Sequence, residues 1–264
     1  MAAKTLDLFR LGSSYNCIMK LYGVKVYDAN NVLVNALVPC VNSSGTAGLY
    51  DMIAGVFRAG SGLTFGNDVR AQVPAEYQRV EYIEASGKQY IDTKYILKTN
   101  NFVVLLNAQT TGSTSTFMTF CGFMEPTTSA PRFGINQYSS KVMYGANTTA
   151  YGSVADTAKH TYVFEGNGSS QSLKIDSTTY TAGSYDISSN ALSMYLFARN
   201  NGTSVVNYTT GRIYSFSLMD NGREIHLLPC YRKSDGVIGM YDTVNQNFYT
   251  NQGTGNFTKG ADVN

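Results

Sequence analysis

Apolar and polar residues alternate with period two along most of this chain, in short runs separated by Gly, Asn, Ser, Thr and Asp. Tyr22, Val24 and Val26 share one parity, with Gly23, Lys25 and Tyr27 between them, and Tyr214, Phe216 and Leu218 alternate in the same way with Ser215 and Ser217. Successive side chains of a strand point to opposite faces, so this spacing predicts half-buried strands. Asn30-Asn31 and Asn221-Gly222 then supply turns, and Asn-Gly is a strong hairpin signal because both residues tolerate positive φ. The following strands are expected to end near Pro39 and Pro229, since proline has no N–H to give a ladder. No segment carries a convincing helical period, and Asp156–Lys159 is expected to form a single turn at most.

Two stretches follow the same order of landmarks. Leu21 to Val69 and Ile213 to Val263 share Asp28 with Asp220, Pro39-Cys40 with Pro229-Cys230, and Gly48-Leu49-Tyr50-Asp51 with Gly239-Met240-Tyr241-Asp242. Tyr22 matches Tyr214, Phe57 matches Phe248, Gly60-Ser61-Gly62 matches Gly253-Thr254-Gly255, and both copies close on Asp-Val. The second copy follows about 140 residues of further strand-like sequence, and the first follows only about 20. The expected organisation is therefore a partial unit over 1–69, a linker over 70–78 containing Pro74, and a complete unit over 79–264.

Within the complete unit the pattern predicts strands at Arg79–Glu84, Gln89–Thr93, Phe102–Gln109, Phe117–Phe123, Lys141–Tyr144, Thr161–Glu165, Gln171–Ile175 and Leu192–Arg199. Many short strands at regular spacing predict a sandwich or jelly roll. The segment VEYIEASGKQYIDTKY, Val80 to Tyr95, resembles the opening of the concanavalin A/laminin-G-like modules of phage tail and virion proteins and of bacterial surface proteins. Gly211 to Phe257 resembles the end of such modules, so the resemblance is specific at both ends and weak in the middle. It implies an all-β, two-sheet antiparallel jelly-roll sandwich whose first and last strands lie together, here preceded by a partial second copy. It implies a binding-type module on a virion or extracellular surface and does not imply an enzyme, and function on such a fold must be argued from a site.

Composition narrows the function classes. The 264 residues are 43% hydrophobic, enough for a core, and only 14% charged. Net charge is +2 without a basic run, so the electrostatic footprint of a nucleic-acid partner is missing. No stretch approaches the ~20 apolar residues of a membrane-spanning helix. The start lacks the apolar core of a signal peptide, so the expectation is synthesis in a cytoplasm, where the chain is left or from which it is exported by assembly or lysis. Cys17, Cys40, Cys121 and Cys230 lack Cys-x-x-Cys spacing, and they are expected to be free core residues.

Candidate catalytic groups are few. His160 and His226 are the only histidines, and no nucleophile–base pattern accompanies them. Glu81 and Glu84 come nearest to a paired carboxylate, but an odd separation in a strand puts them on opposite faces. The Glu-x-Asp-x-x-Glu cluster of concanavalin-like glycosidases is absent. The expectation is no cofactor. Calcium is the alternative, at Asp51, Asp92 or Asp242, but the preferred reading makes each aspartate a turn cap.

Sugar recognition needs aromatic rings for C–H faces and amides for hydroxyls, and with no Trp the rings must be tyrosines. The middle of the complete unit places Asn136, Tyr138, Tyr144, Asn147 and Tyr151, then Asn200, Asn201 and Tyr208, in expected loops, where binding residues concentrate. These are the candidate residues for a host glycan or surface receptor. The other reading is architectural: the tyrosines pack, the asparagines turn the chain, and the protein decorates or joins virion subunits.

A partial unit exposes strand edges and one apolar face, and a small fragment buries too little to stand alone. Residues 1–69 are therefore expected to pack on another body, which could be a second copy, another virion subunit or the complete unit itself. A homo-oligomer is the preferred reading, a trimer in the first instance, because fibres and spikes are commonly built so. Mass measurement in solution checks this: an oligomer is expected, and a monomer whose N-terminal segment is ordered without partners overturns it.

Overall fold

A computed structural model describes residues 10–11, 15–16, 21, 23–42, 44–59, 72–125, 131–138, 141–144, 150–151, 156–168, 170–183 and 186–263. Among these residues every helix or strand element is a strand, and pairing is antiparallel apart from one parallel bridge, Phe123 to Asn200. Asp156–Lys159 contains no helical turn; it is a bend leading into a strand. The chain divides into two compact units, Met1–Asn67 and Asp68–Asn264.

The first unit contains β1 (Arg10–Leu11), β2 (Tyr15–Asn16), β3 (Val24–Tyr27), β4 (Leu33–Val41), β5 (Ala47–Asp51) and β6 (Val56–Ala59). The second begins with β7 (Tyr77–Arg79), β8 (Ile83–Ser86), β9 (Ile91–Ile96), β10 (Asn101–Thr110), β11 (Met118–Met124) and β12 (Arg132–Tyr138). It continues through β13 (Lys141–Tyr144), β14 (Ala150–Tyr151), β15 (Lys159–Asn167), β16 (Ser170–Ile175), β17 (Thr178–Gly183) and β18 (Ser193–Leu196). The last strands are β19 (Arg199–Asn200), β20 (Val205–Val206), β21 (Thr210–Asp220), β22 (Arg223–Arg232), β23 (Ile238–Asp242), β24 (Asn247–Thr250) and β25 (Thr258–Lys259).

The second unit is sandwich-like. One sheet has eleven strands, running β17-β16-β15-β10-β21-β22-β23-β24 with β7, β8 and β25 attached. The other has eight, running β14-β13-β12-β11-β18-β9 with β19 and β20 attached. Both sheets contribute to a single core. Phe133 of the smaller sheet meets Phe102 and Phe164 of the larger, with ring centroids 5.5 and 4.9 Å away. A fully buried phenylalanine contributes roughly 1.5–3 kcal/mol of transfer free energy, so this triad is a large local term. β7 begins at Tyr77, inside the stretch expected to be linker. Tyr77 is held there because its ring packs between Tyr241 and Phe248, at 4.9 and 4.8 Å.

The two similar stretches fold alike over their described residues. In the first copy Leu37 pairs with Asp51 and Cys40 with Gly48; in the second, Leu227 pairs with Asp242 and Cys230 with Gly239. Tyr50 pairs with Phe57 as Tyr241 pairs with Phe248. Asn221 and Gly222 both take positive φ, 45° and 85°, as a tight hairpin turn requires. The later landmarks of the first copy, Gly60-Ser61-Gly62 and Asp68-Val69, lie outside the described residues, as does Tyr22.

The shared turn is built on a buried carboxylate. Asp51 Oδ1 accepts the backbone N–H groups of Ile53 (3.1 Å), Ala54 (3.3 Å) and Ala36 (3.4 Å). Asp242 Oδ1 accepts those of Val244 (3.0 Å), Asn245 (3.2 Å) and His226 (3.2 Å). An asparagine amide completes each: Asn35 on Asp51 and Asn245 on Asp242, at 2.5 and 2.7 Å. The copies differ in what covers them. Tyr241 is 6% exposed beneath Tyr77, whereas its counterpart Tyr50 is 39% exposed. Cys40 is half-buried, not buried like Cys230, because among the described residues no strand lies beside it as β7 lies beside Cys230.

Burial pushes the Asp51 carboxyl up, but the Asn35 amide and the three backbone N–H groups outweigh it and hold it at about 2, against an ordinary 3.8. A depressed folded-state value gives stability that is complete above the unfolded pKa and lost as pH falls through the folded one. The first unit should therefore lose stability between about pH 4 and pH 2. Acid titration of the Asp51→Asn variant, followed by circular dichroism, should show a flatter response over that window.

Candidate functional site

Alternation about the core decides what the eight-stranded sheet presents outward. Ile91 and Tyr95 of β9, Phe133 and Ile135 of β12, and Met194 and Leu196 of β18 are core residues. Their neighbours Asp92 and Lys94, Arg132, Gly134 and Asn136, and Ser193 and Tyr195 therefore occupy the opposite face. Register lines up Asp92 with Tyr195, Tyr195 with Gly122, and Gly122 with Gly134. Tyr195 thus has a carboxylate on one flank and two residues without side chains on the other.

Three tyrosines gather there. Tyr90 stacks on Tyr195 with centroids 4.9 Å apart, and Tyr208 meets Tyr90 edge-on at 6.2 Å. All three are half-buried, so each ring keeps an accessible part. Lys94, in the left-handed region at φ 58°, donates through Nζ to Asp92 Oδ2 at 2.5 Å, and its backbone N–H reaches Oδ1 at 2.9 Å. Burial pushes the Tyr90 hydroxyl up, and Tyr208 and Asp92 add to this against Lys94. Burial also pushes Tyr195 up, with Asp92, Tyr90 and Tyr208 adding to it. Both phenols therefore stay neutral at ordinary pH and keep a donor and an acceptor at the edge of an apolar ring.

The residues expected from the sequence fall differently. Tyr208 alone of the set joins this cluster. The expectation that the set lies in loops is corrected for Asn136, Tyr138, Tyr151 and Asn200, which stand in strands, while Tyr144 ends the strand expected at Lys141–Tyr144. Asn136 is 7% exposed; its Oδ1 accepts the Thr119 hydroxyl at 2.7 Å, and its amide lies where a Cβ on Gly134 would stand. Asn200 is 6% exposed, donating to Ser193 O at 3.0 Å and accepting from Gly202 N at 3.0 Å. Both side chains hold the fold: Asn136 ties β12 to β11, and Asn200 ties β19 to Ser193 and to the loop that follows it. Tyr138 is exposed at the end of β12, 5.6 Å from Phe117. Tyr144 pairs with Ile135 and Tyr151 with Val142 through the backbone. Asn201 sits half-buried in the loop after β19. Asn147 lies outside the described residues. Tyr90 and Tyr195 of the cluster are not among the residues expected from the sequence, although Tyr90, Asp92 and Lys94 alternate with Ile91, Thr93 and Tyr95 in plain period two.

Glu84 and the candidate aspartates are engaged. Glu84 pairs with Arg212 at 2.9 Å, and Glu81 is exposed in the bend before β8. The oxygens of Asp51, Asp92 and Asp242 take the turn contacts given above. Among the described residues no group of three or more His, Cys, Asp or Glu could hold a metal, and no helix is long and apolar enough to cross a membrane. Cys40, Cys121 and Cys230 are free, and burial pushes the Cys121 and Cys230 thiols up to about 12, which keeps them unreactive. Cys17 lies outside the described residues.

His160 is clamped between two carboxylates, with Nδ1 2.7 Å from Asp176 and Nε2 2.9 Å from Asp156. A neutral imidazole has one N–H, so only the protonated ring donates to both. Burial pushes His160 down, but the bonds to Asp176 and Asp156 outweigh it and the net shift is up from 6.5. Stability from this clamp is complete below the unfolded value and is lost as pH rises through the folded one. An NMR titration should place the His160 midpoint above 6.5. His160→Gln should remove that component of the stability–pH curve.

Comparison of the chain with protein-family models and with curated proteins finds no match.

Proposed function

We propose that this chain is a non-catalytic binding module of a phage particle or similar surface, recognising a host glycan or surface receptor through the Tyr90–Tyr195–Tyr208 face. The observation that carries this is the cluster itself: two stacked rings and a third edge-on, half-exposed, beside an Asp–Lys pair. A sugar offers an apolar C–H face to such rings and hydroxyls to the phenol tips and to Asp92.

In this reading the second unit is a concanavalin A/laminin-G-like jelly roll, and the first is a partial copy of it. The meeting of the unit's two ends supports that: Val80 bridges Asp262, and Val263 N–H donates to Arg79 O at 2.9 Å. The engagement of Glu84 by Arg212 supports a role without catalysis.

The architectural reading, a decoration, fibre or tail subunit without a ligand, is favoured by a different observation. Tyr27, Val32, Val34, Tyr50, Met52, Ile53 and Val56 of the first unit are all exposed. Such a surface suits burial against a second copy or another virion subunit.

A glycan array probed with the assembled protein tests the proposal. Affinity per site should be weak, about millimolar to micromolar, and strengthened by several copies. Tyr195→Ala should weaken binding about tenfold, equivalent to about 1.4 kcal/mol, with the thermal midpoint little changed. If no glycan is retained, and Tyr195→Ala with Tyr208→Ala leaves particle attachment intact, the architectural reading takes its place.

A further inference from the structure

Four of the described arginines are matched with carboxylates. Arg212 meets Glu84, Arg223 meets Asp220, Arg232 meets Asp235 and Arg58 meets Asp51. Arg199, on β19 of the eight-stranded sheet, is different. Its Nε, like those of Arg79 and Arg132, is buried without a hydrogen-bond partner, and among the described residues no carboxylate lies within ion-pair distance of its guanidinium. Its neighbours are the Phe117 ring, 5.7 Å from the guanidinium carbon, and the positive charge of Arg132. Burial and the repulsion of Arg132 both work against the charged form of Arg199.

A half-buried guanidinium beside a like charge, without a counterion, is unfavourable in the free protein. The repulsion is relieved when an anion arrives, because the fork of N–H groups then gains acceptors and the second cation becomes attractive. The apolar surroundings sharpen the choice. Phe117 lies under Arg199 and within 5.6 Å of the exposed Tyr138 ring, so the charge stands at the edge of an aromatic patch. A small inorganic ion would use the charge and leave the rings idle. A sugar bearing an acidic substituent would use both.

We propose that Arg199, with Arg132 and the Phe117–Tyr138 patch, is an anion-binding subsite for the carboxylate or sulfate group of an acidic saccharide. The saccharide part rests on the glycan reading above; the anion part rests on Arg199 itself. Binding is non-covalent and needs no cofactor.

Calorimetry on the intact, assembled chain distinguishes the two parts. The probes are a galacturonic acid oligosaccharide against its methyl ester, and a sulfated galactan oligosaccharide against its desulfated form. At least one charged probe should bind about tenfold or more tighter than its neutral counterpart, with the preference shrinking as salt is raised. Arg199→Gln should abolish the preference, and Arg199→Lys, which keeps the charge and loses the fork, should restore part of it. Lys174→Gln, the loss of an exposed charge on the other sheet, should leave it unchanged. Arg199→Gln should also leave the thermal midpoint equal or higher, since it removes an unmatched charge. Equal affinity within both pairs, or a preference that survives Arg199→Gln, overturns the inference while neutral binding sustains the glycan reading. Charged binding that ignores Tyr195→Ala retains the Arg199 subsite and removes the tyrosine platform. If none of the four probes binds, the Arg199 inference falls and the glycan reading is decided by the array.

Discussion

The contact that the rest of the second unit depends on is the packing of Phe133 against Phe102 and Phe164 across the core. It joins the two sheets, and it sets the phase of β12. With Phe133 and Ile135 inward, Arg132, Gly134, Asn136 and Tyr138 must face outward. A slip of one residue would bury an arginine in the aromatic core and expose two large apolar side chains. The same logic on β9 and β18 turns Asp92, Lys94 and Tyr195 outward. The outward face that carries Tyr195 is thus what remains after the core has taken every second residue.

The repeated carboxylate turn shows how one local solution serves two environments. Asp51 and Asp242 organise the same loop by accepting backbone N–H groups that would otherwise be buried without partners. That geometry is local, so both copies keep it. Covering is not local. In the second copy β7 lies beside β22 and its Tyr77 shelters Tyr241 and Phe248. In the first copy the matching tyrosine stays exposed. The difference between the copies therefore lies in what other chain segments supply, and the turn itself is unchanged.

Charge in this protein is sparse and mostly matched. Carboxylates lie against arginines, lysines, a histidine or backbone N–H groups, and arginines also spread over aromatic rings, as Arg212 does over Tyr82 at 4.3 Å. Against that background an unmatched, half-buried Arg199 stands out, because burial makes an uncompensated charge costly in proportion to the water it loses. The tyrosine cluster and the Arg199 patch belong to the same sheet, and they offer complementary chemistry: neutral rings in one place and a cation beside rings in the other.

The sequence by itself determined the all-β class, the repeat and its landmarks, the Asn221-Gly222 hairpin, and most strands with strong alternation. Each of these is a local property, set by period two, by positive φ, or by a short-range carboxylate turn. It did not reveal β12 or β17. In β12 the outward positions Gly134 and Asn136 look like turn residues, and only the neighbouring strand shows that Gly134 makes room for the Asn136 amide. For the same reason the sheet partners of Asn136 and Asn200 were not legible, since an asparagine's partners across a sheet cannot be counted along the chain. Tertiary structure alone decided that Tyr90, Tyr195 and Tyr208, more than a hundred positions apart at the extremes, share one surface, and that Arg199 lies over Phe117 and within the field of Arg132 without a carboxylate. Strand pairing brings distant residues together by register. Register is set by the whole core, so it cannot be read from any one segment.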